Sequence, residues 1–279
     1  MERIQHAIEK ARAARQGDGP VEEVVRPTTE AAGAPSAATS EADKISAQWY
    51  GLREVSLPPR ALIRSHIVTA ERNRDAVRFD MMRTKLLHQL DSSKWRRVGV
   101  TSPGPNCGKS TVCLNLAFSL ARQPELRVAV VEADLRRPSI AQMLGIKPQG
   151  SVGDFLAGRT PLSDVAIRLR PNLAVLLNPE PRHNAAELFQ SRSAAEALDV
   201  LEASLAPHVV LFDMPPTLTG DDVMAFAAHT DAVLIIAGAG TTTVAEIDAC
   251  ERELATRTNV MGVVVNKCRY LGKDYAYDE

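Results

Sequence analysis

The segment TSPGPNCGKST, residues 101–111, limits the folds open to this chain more than any other stretch. A short β-rich run, VGVTS (98–102), leads into it, and the helical pattern KSTVCLNLAFSLA (109–121) leaves it. A glycine-containing loop between a strand and a helix suits a phosphate group. Successive backbone N–H groups surround the oxygens, and the helix adds the positive end of its dipole. Gly104, Pro105, Asn106, Cys107 and Gly108 form the loop, with Thr111 just past it. Lys109 is placed to reach the β- and γ-phosphates, and the Ser110 hydroxyl to ligate Mg²⁺. The usual first glycine, five residues before Gly108, is here Pro103, with Gly104 one place later. A glycine-rich helix cap would account for GKST alone, but not for strand, loop and helix together. Cys107 lies near a helix N-terminus, where a thiolate and hence a redox switch are conceivable. A small residue that happens to be cysteine is the simpler reading.

Around this loop, short apolar strands alternate with helical patterns. Strands are expected at VAVVEA (128–133), LAVLLN (173–178), VVLFD (209–213), AVLIIAGA (232–239) and GVVVN (262–266). Helices are expected at 75–91, from Pro138, and near 184–205, 221–229 and 243–256. Strands this apolar, separated by helices, imply an α/β fold of the P-loop NTPase kind, a mostly parallel sheet with helices on both faces. Ligands in such folds bind at the carboxyl ends of the strands. Two further strands end there in acid: EADLRRPS carries Glu132, Asp134 and Arg136, and FDMPP carries Asp213. Carboxylates at that edge can hold Mg²⁺ through water or polarise an attacking hydroxyl.

The rest of the chain divides by composition. Residues 1–16 suggest a short amphipathic helix, and 17–74 a flexible linker and arm, rich at first in Gly, Pro, Ala and Thr. Residues 75–268 form the P-loop domain. The last segment, 269–279, includes YLGKDYAYDE and holds three of the four tyrosines, Tyr270, Tyr275 and Tyr277. The formal net charge of -1 argues against a general nucleic-acid binder. Cys107, Cys113, Cys250 and Cys268 lack zinc-type spacing and suit a reducing cytoplasm. No apolar run approaches the ~20 residues that span a bilayer, so a cytoplasmic protein, attached to membrane only through a partner, is expected.

Taken together, GKST, EADLRRPS, FDMPP and GVVVNK closely resemble the bacterial tyrosine kinases of polysaccharide export, the CpsD/CapB family, over residues 75–279. NAAELF (184–189) and GDFLAG (153–158) look like further segments of that family. The resemblance implies an ATP- and Mg²⁺-dependent autokinase of polysaccharide synthesis or export. Lys109 and Ser110 match its Walker A lysine and hydroxyl, Asp134 and Arg136 its Walker A′ motif, and Asp213 its Walker B aspartate. It implies catalytic roles for Lys109, Glu132, Asp134 and Asp213, with Ser110, Asp134 and Asp213 at the metal. Arg136 would contact nucleotide and Asn266 the adenine base. Tyr270, Tyr275 and Tyr277 would be the acceptors, presented to a neighbouring subunit. A membrane-embedded chain-length regulator would be the activating partner and a homo-oligomer the assembly. Two departures stand out. Glu132 replaces the first Walker A′ aspartate, one methylene further out. In the segment that packs between subunits, Val77 and Asp80 hold the first two motif places and only Arg83 matches. Two other functions stay open: a switch ATPase of the MinD/ParA type and a nucleotide-binding regulator without turnover. The switch ATPases carry an extra lysine where this chain has Gly104.

Overall fold

A computed structural model describes residues 41–268. The helix expected over 1–16, the first part of the 17–74 linker, and Tyr270, Tyr275 and Tyr277 lie outside the described residues. Eight strands among those described form one sheet: β1 (Arg53–Glu54), β2 (Arg97–Thr101), β3 (Val128–Glu132), β4 (Ala166–Arg170), β5 (Leu173–Leu176), β6 (Val209–Asp213), β7 (Ala232–Gly238) and β8 (Asn259–Asn266). Their spatial order is β1-β4-β5-β3-β6-β2-β7-β8. Every neighbouring pair is parallel except β4 and β5.

The apolar strands follow from burial on both faces. In β3, Val128 and Val130 face one core while Ala129 and Val131 face the other, because side chains alternate along a strand. The first core is closed by helices Val77–Ser93 and Lys109–Leu120, the second by helices Ala185–Phe189, Arg192–Leu205 and Val244–Ala255. Gly99 in β2 permits a close approach, since a Cβ there would meet the Met214 sulfur and Val233 Cγ1. Lys109–Leu120 is buried almost throughout and lies under Val77–Ser93.

Three details differ from the sequence reading. The helix expected near 184–205 is two helices, divided where the Ser191 hydroxyl caps the second by accepting from Ala194 N. The helix expected from Pro138 starts at Ile140 and stops at Leu144, where Gly145 turns left-handed at φ 66°. The third is a correction: residues 41–74, read as the end of a flexible linker and arm, carry helices Glu41–Gly51 and Pro59–Arg64 as well as β1. They form a strap across the domain. Trp49 is buried and its indole N–H donates to Leu205 O at 2.7 Å. Val55 N donates to Arg168 O at 2.9 Å, so β1 extends the sheet beyond β4. On the other face, Val68 N donates to Asn115 Oδ1 at 2.8 Å and Asn115 Nδ2 to His66 O at 2.9 Å. Anchors so widely spaced leave no period to detect in the sequence.

Candidate active site

Three neighbouring strands, β3, β6 and β2, end together, and register sets their residues level. Asp213 pairs with Val100 on one side and with Glu132 on the other. Beyond β2 the connection turns through residues 102–108 into helix Lys109–Leu120. Gly108 has φ 90°, a conformation that favours glycine, and an added Cβ would run into the Asn266 amide. Asn106 is also left-handed, at φ 61°. The first N–H groups of an α-helix have no intrahelical acceptor, and Gly108 as N-cap brings no side chain to satisfy them. The start of this helix therefore suits an anion.

The loop is held from several directions. Ser102 Oγ donates to Gly104 O at 2.7 Å, and Thr217 N and Leu218 N donate to the carbonyls of Ser102 and Pro103. Pro103, at the place of the usual first glycine, is thus fixed by the chain that follows Asp213. Cys107 is buried, with its sulfur 3.3 Å from Gly104 O and 3.5 Å from Thr242 Oγ1. Pro105 and Asn106 are exposed at the loop's crest. From the end of β8, Asn266 Nδ2 donates to Cys107 O at 2.9 Å and Lys267 Nζ to Asn106 O at 2.6 Å. The Asn266 amide, expected at adenine, thus braces the loop from behind. Thr242 and Lys267 were missed from sequence; the only signal was Lys267 standing next to Asn266.

Lys109 Nζ lies 2.8 Å from Asp134 Oδ2, both side chains largely buried. Burial opposes the lysine's charge, but Asp213 and Asp134 outweigh it and raise its pKa. Asp213 is fully buried, and neither carboxylate oxygen has a hydrogen-bond partner of good geometry among the described residues. Burial raises its pKa, while the nearby Lys109 charge and Ser110 hydroxyl act against the shift. A buried carboxylate without partners is costly. Beside an uncapped helix start and a paired lysine, it fits a site for a divalent cation with phosphate. Ser110, Asp134 and Asp213 supply the hard oxygen donors Mg²⁺ prefers. Thr111 follows in the first turn, where its carbonyl accepts from Asn115 Nδ2 at 2.9 Å.

Two predicted residues point elsewhere. Arg136 pairs with Asp222, its Nη2 3.0 Å from Oδ1, and with Asp221 at 3.7 Å. That ties it to the start of helix Asp222–Ala227 instead of the phosphate loop. Glu132, for which the resemblance implies a catalytic role, is fully buried. Its Oε1 accepts from Ser139 N at 2.6 Å and Ile140 N at 2.8 Å, and its Oε2 from Asn178 N at 2.8 Å. Both oxygens are thus already engaged by backbone. Burial lifts its pKa to about 7, against the lowering effect of these N–H groups and with help from the Asp213 charge. Arg83, the one match to the subunit-packing motif, donates within its own chain to Ser119 O at 3.0 Å and Asp80 Oδ1 at 3.3 Å.

Residues 96–276 match the ParA family, described as the NUBPL iron-transfer P-loop NTPase. Among the described residues, no group of three or more His, Cys, Asp or Glu side chains is placed to hold a metal. The chain is 32% identical over 187 residues to the putative tyrosine-protein kinase EpsB of Ralstonia nicotianae, a match covering 66% of this chain and 24% of that protein. It is 27% identical over 219 residues to the succinoglycan biosynthesis transport protein ExoP of Rhizobium meliloti, covering 76% of this chain and 28% of ExoP. The matched stretch thus spans about a quarter of the length of EpsB and of ExoP. Among solved structures, the kinase domain of VpsO superposes with a TM-score of 0.61 at 27% identity, covering 73% of this chain and 96% of that domain.

Proposed function

From a chain that belongs to the ParA family of P-loop NTPases, we infer an ATP-dependent protein-tyrosine kinase acting in polysaccharide synthesis or export. One observation carries the phosphotransfer reading: Asp213, fully buried at the end of β6 and with neither oxygen hydrogen-bonded at good geometry among the described residues, stands close enough to the Lys109–Asp134 pair to act on the lysine's charge. Likeness to the putative tyrosine-protein kinase EpsB supports tyrosine as the acceptor, and the name of ExoP supports polysaccharide export. The lysine of the MinD/ParA switch ATPases is absent at Gly104.

Transfer of the γ-phosphoryl group needs positioning and charge stabilisation more than covalent help. The loop amides and the start of helix Lys109–Leu120 take up the phosphate oxygens. Lys109 leaves Asp134 for the β- and γ-phosphates and offsets the charge that builds there. Ser110 and Asp213 would hold Mg²⁺, which would supply neutralisation of phosphate charge. Asp134, freed from Lys109, orients the tyrosine O–H and takes its proton. The tyrosine oxygen then bonds to the γ-phosphorus as the bond to the bridging oxygen breaks, and ADP leaves. Tyr270, Tyr275 and Tyr277 are the acceptors we assign, reached in trans from a second copy. A membrane-embedded chain-length regulator is the activator we assign, and it brings a cytoplasmic domain to the membrane.

Incubation of purified protein with ATP and Mg²⁺, with phosphotyrosine mapped by mass spectrometry, tests this. Phosphate on the tail tyrosines is expected, and Lys109→Met should lower it by at least about 100-fold, the scale of losing one preorganised charge contact. ATP hydrolysis without any phosphotyrosine would favour the switch ATPase instead.

A further inference from the structure

We propose that Glu132 is a positioning residue, acting through segment 133–140 to hold Asp134 and the Ser139 hydroxyl in place and not acting on the reacting atoms. Its activity readout rests on the phosphotransfer reading; its amide readout does not. The side chain joins three parts of the molecule: the end of β3, the start of helix Ile140–Leu144, and the residues just past β5. Between its two attachments the chain makes the loop that carries Asp134 and Arg136. Asp134 closes the near end, with Oδ1 accepting from Arg137 N at 3.1 Å. Glu132 closes the far end at Ser139 and Ile140. Ser139, fixed by its own N–H, turns its hydroxyl toward Ser110 Oγ at 3.4 Å. The residue assigned to Mg²⁺ therefore has a second hydroxyl beside it, and Glu132 decides where that hydroxyl stands.

The choice of glutamate follows from reach. An aspartate at 132 would withdraw the carboxylate by about 1.5 Å, one carbon–carbon bond, from three donors that now lie 2.6–2.8 Å away. A carboxylate offers about four lone-pair sites, and three N–H groups from backbone that cannot move far occupy most of them. Nor does solvent reach the group, which is wholly buried. A proton acceptor needs a free lone pair facing its donor; a brace needs fixed partners, and Glu132 has those.

Glu132→Gln separates the two roles. The amide keeps a carbonyl oxygen for Ser139 and Ile140 but cannot accept a tyrosine proton. A positioning role predicts phosphotransfer within about tenfold of wild type in Glu132→Gln, and a loss of about 100-fold in Glu132→Ala, the cost of a misplaced catalytic group. The KM for ATP should change little in either variant, because the phosphate loop is untouched. Hydrogen exchange resolved at single amides gives a readout free of any activity. Ser139, Ile140 and Asn178 should be protected in wild type, only Asn178 should open in Glu132→Gln, and all three in Glu132→Ala. Circular dichroism and MgADP binding establish that each variant is folded. Should Glu132→Ala fail to fold, the Gln variant alone decides. Glu132→Gln that loses transfer by 100-fold or more, as removal of a general base would cause, with its Ser139 and Ile140 amides still protected, overturns the proposal. So does unprotected exchange at these amides in wild type. Wild type that makes no phosphotyrosine but protects all three amides would count against the kinase reading and leave the brace standing.

Discussion

Asp213 and Lys109 illustrate how a site of this kind stores charge. Desolvating a carboxylate costs more than desolvating a neutral amide of the same shape. Asp213→Asn should therefore stabilise the nucleotide-free protein, on the order of 1 kcal/mol, in urea denaturation, while abolishing the extra stability that MgADP confers. The pH dependence of stability carries the same signature. Glu132 titrates near 7 in the folded protein against an ordinary 4.5, and Asp213 is also raised. For an acid with a raised folded pKa, the folded state binds the extra proton, so stability is full below the ordinary value and is lost as pH rises through about 7. Urea midpoints of the nucleotide-free protein should accordingly fall between about pH 5 and about pH 8, and Glu132→Gln should flatten that fall. A midpoint that rises over the same range would contradict this assignment. GKST, Asp134 and Asp213 were legible in the sequence because each chemical type sits at a strand end. The occupation of Glu132 was not, since its donors at Ser139, Ile140 and Asn178 are backbone groups, and any residue would supply them.

Elements of the fold were legible where they repeat and hidden where they do not. β3, β6 and β7 declared themselves as unbroken apolar runs. β4, with Arg168 and Arg170 in it, did not, and its antiparallel pairing with β5 includes a register shift. The strap is held by single contacts whose partners lie far along the chain, Trp49 to Leu205 and Val68 to Asn115. These contacts can be weighed. Trp49→Ala should cost about 3–5 kcal/mol, as loss of a large buried side chain does, measured by chemical denaturation. Asn115→Ala would leave His66 O, Val68 N and Thr69 N without their partner. A loss of about 1–3 kcal/mol is expected, with faster hydrogen exchange in residues 66–69. A strap that is mere covering would show neither effect.

Across the whole molecule, the parallel run of β3, β6 and β2 brings three strand ends and one helix start to a single edge, so ligand binding and folding are coupled there. MgATP at a hundred times its Kd should raise stability by about 2.7 kcal/mol, and Lys109→Met should remove most of that gain in a thermal shift measurement. The same strap that crosses both faces has a mechanical meaning. Tension applied at Glu41 reaches the Trp49 anchor first, then the two-residue β1, and only afterwards the contacts on Asn115 in the helix that carries Lys109 and Ser110. Release would run in that order, so a pull too weak to dislodge the indole would leave the phosphate loop unstrained, whereas a stronger one would arrive there through a single asparagine.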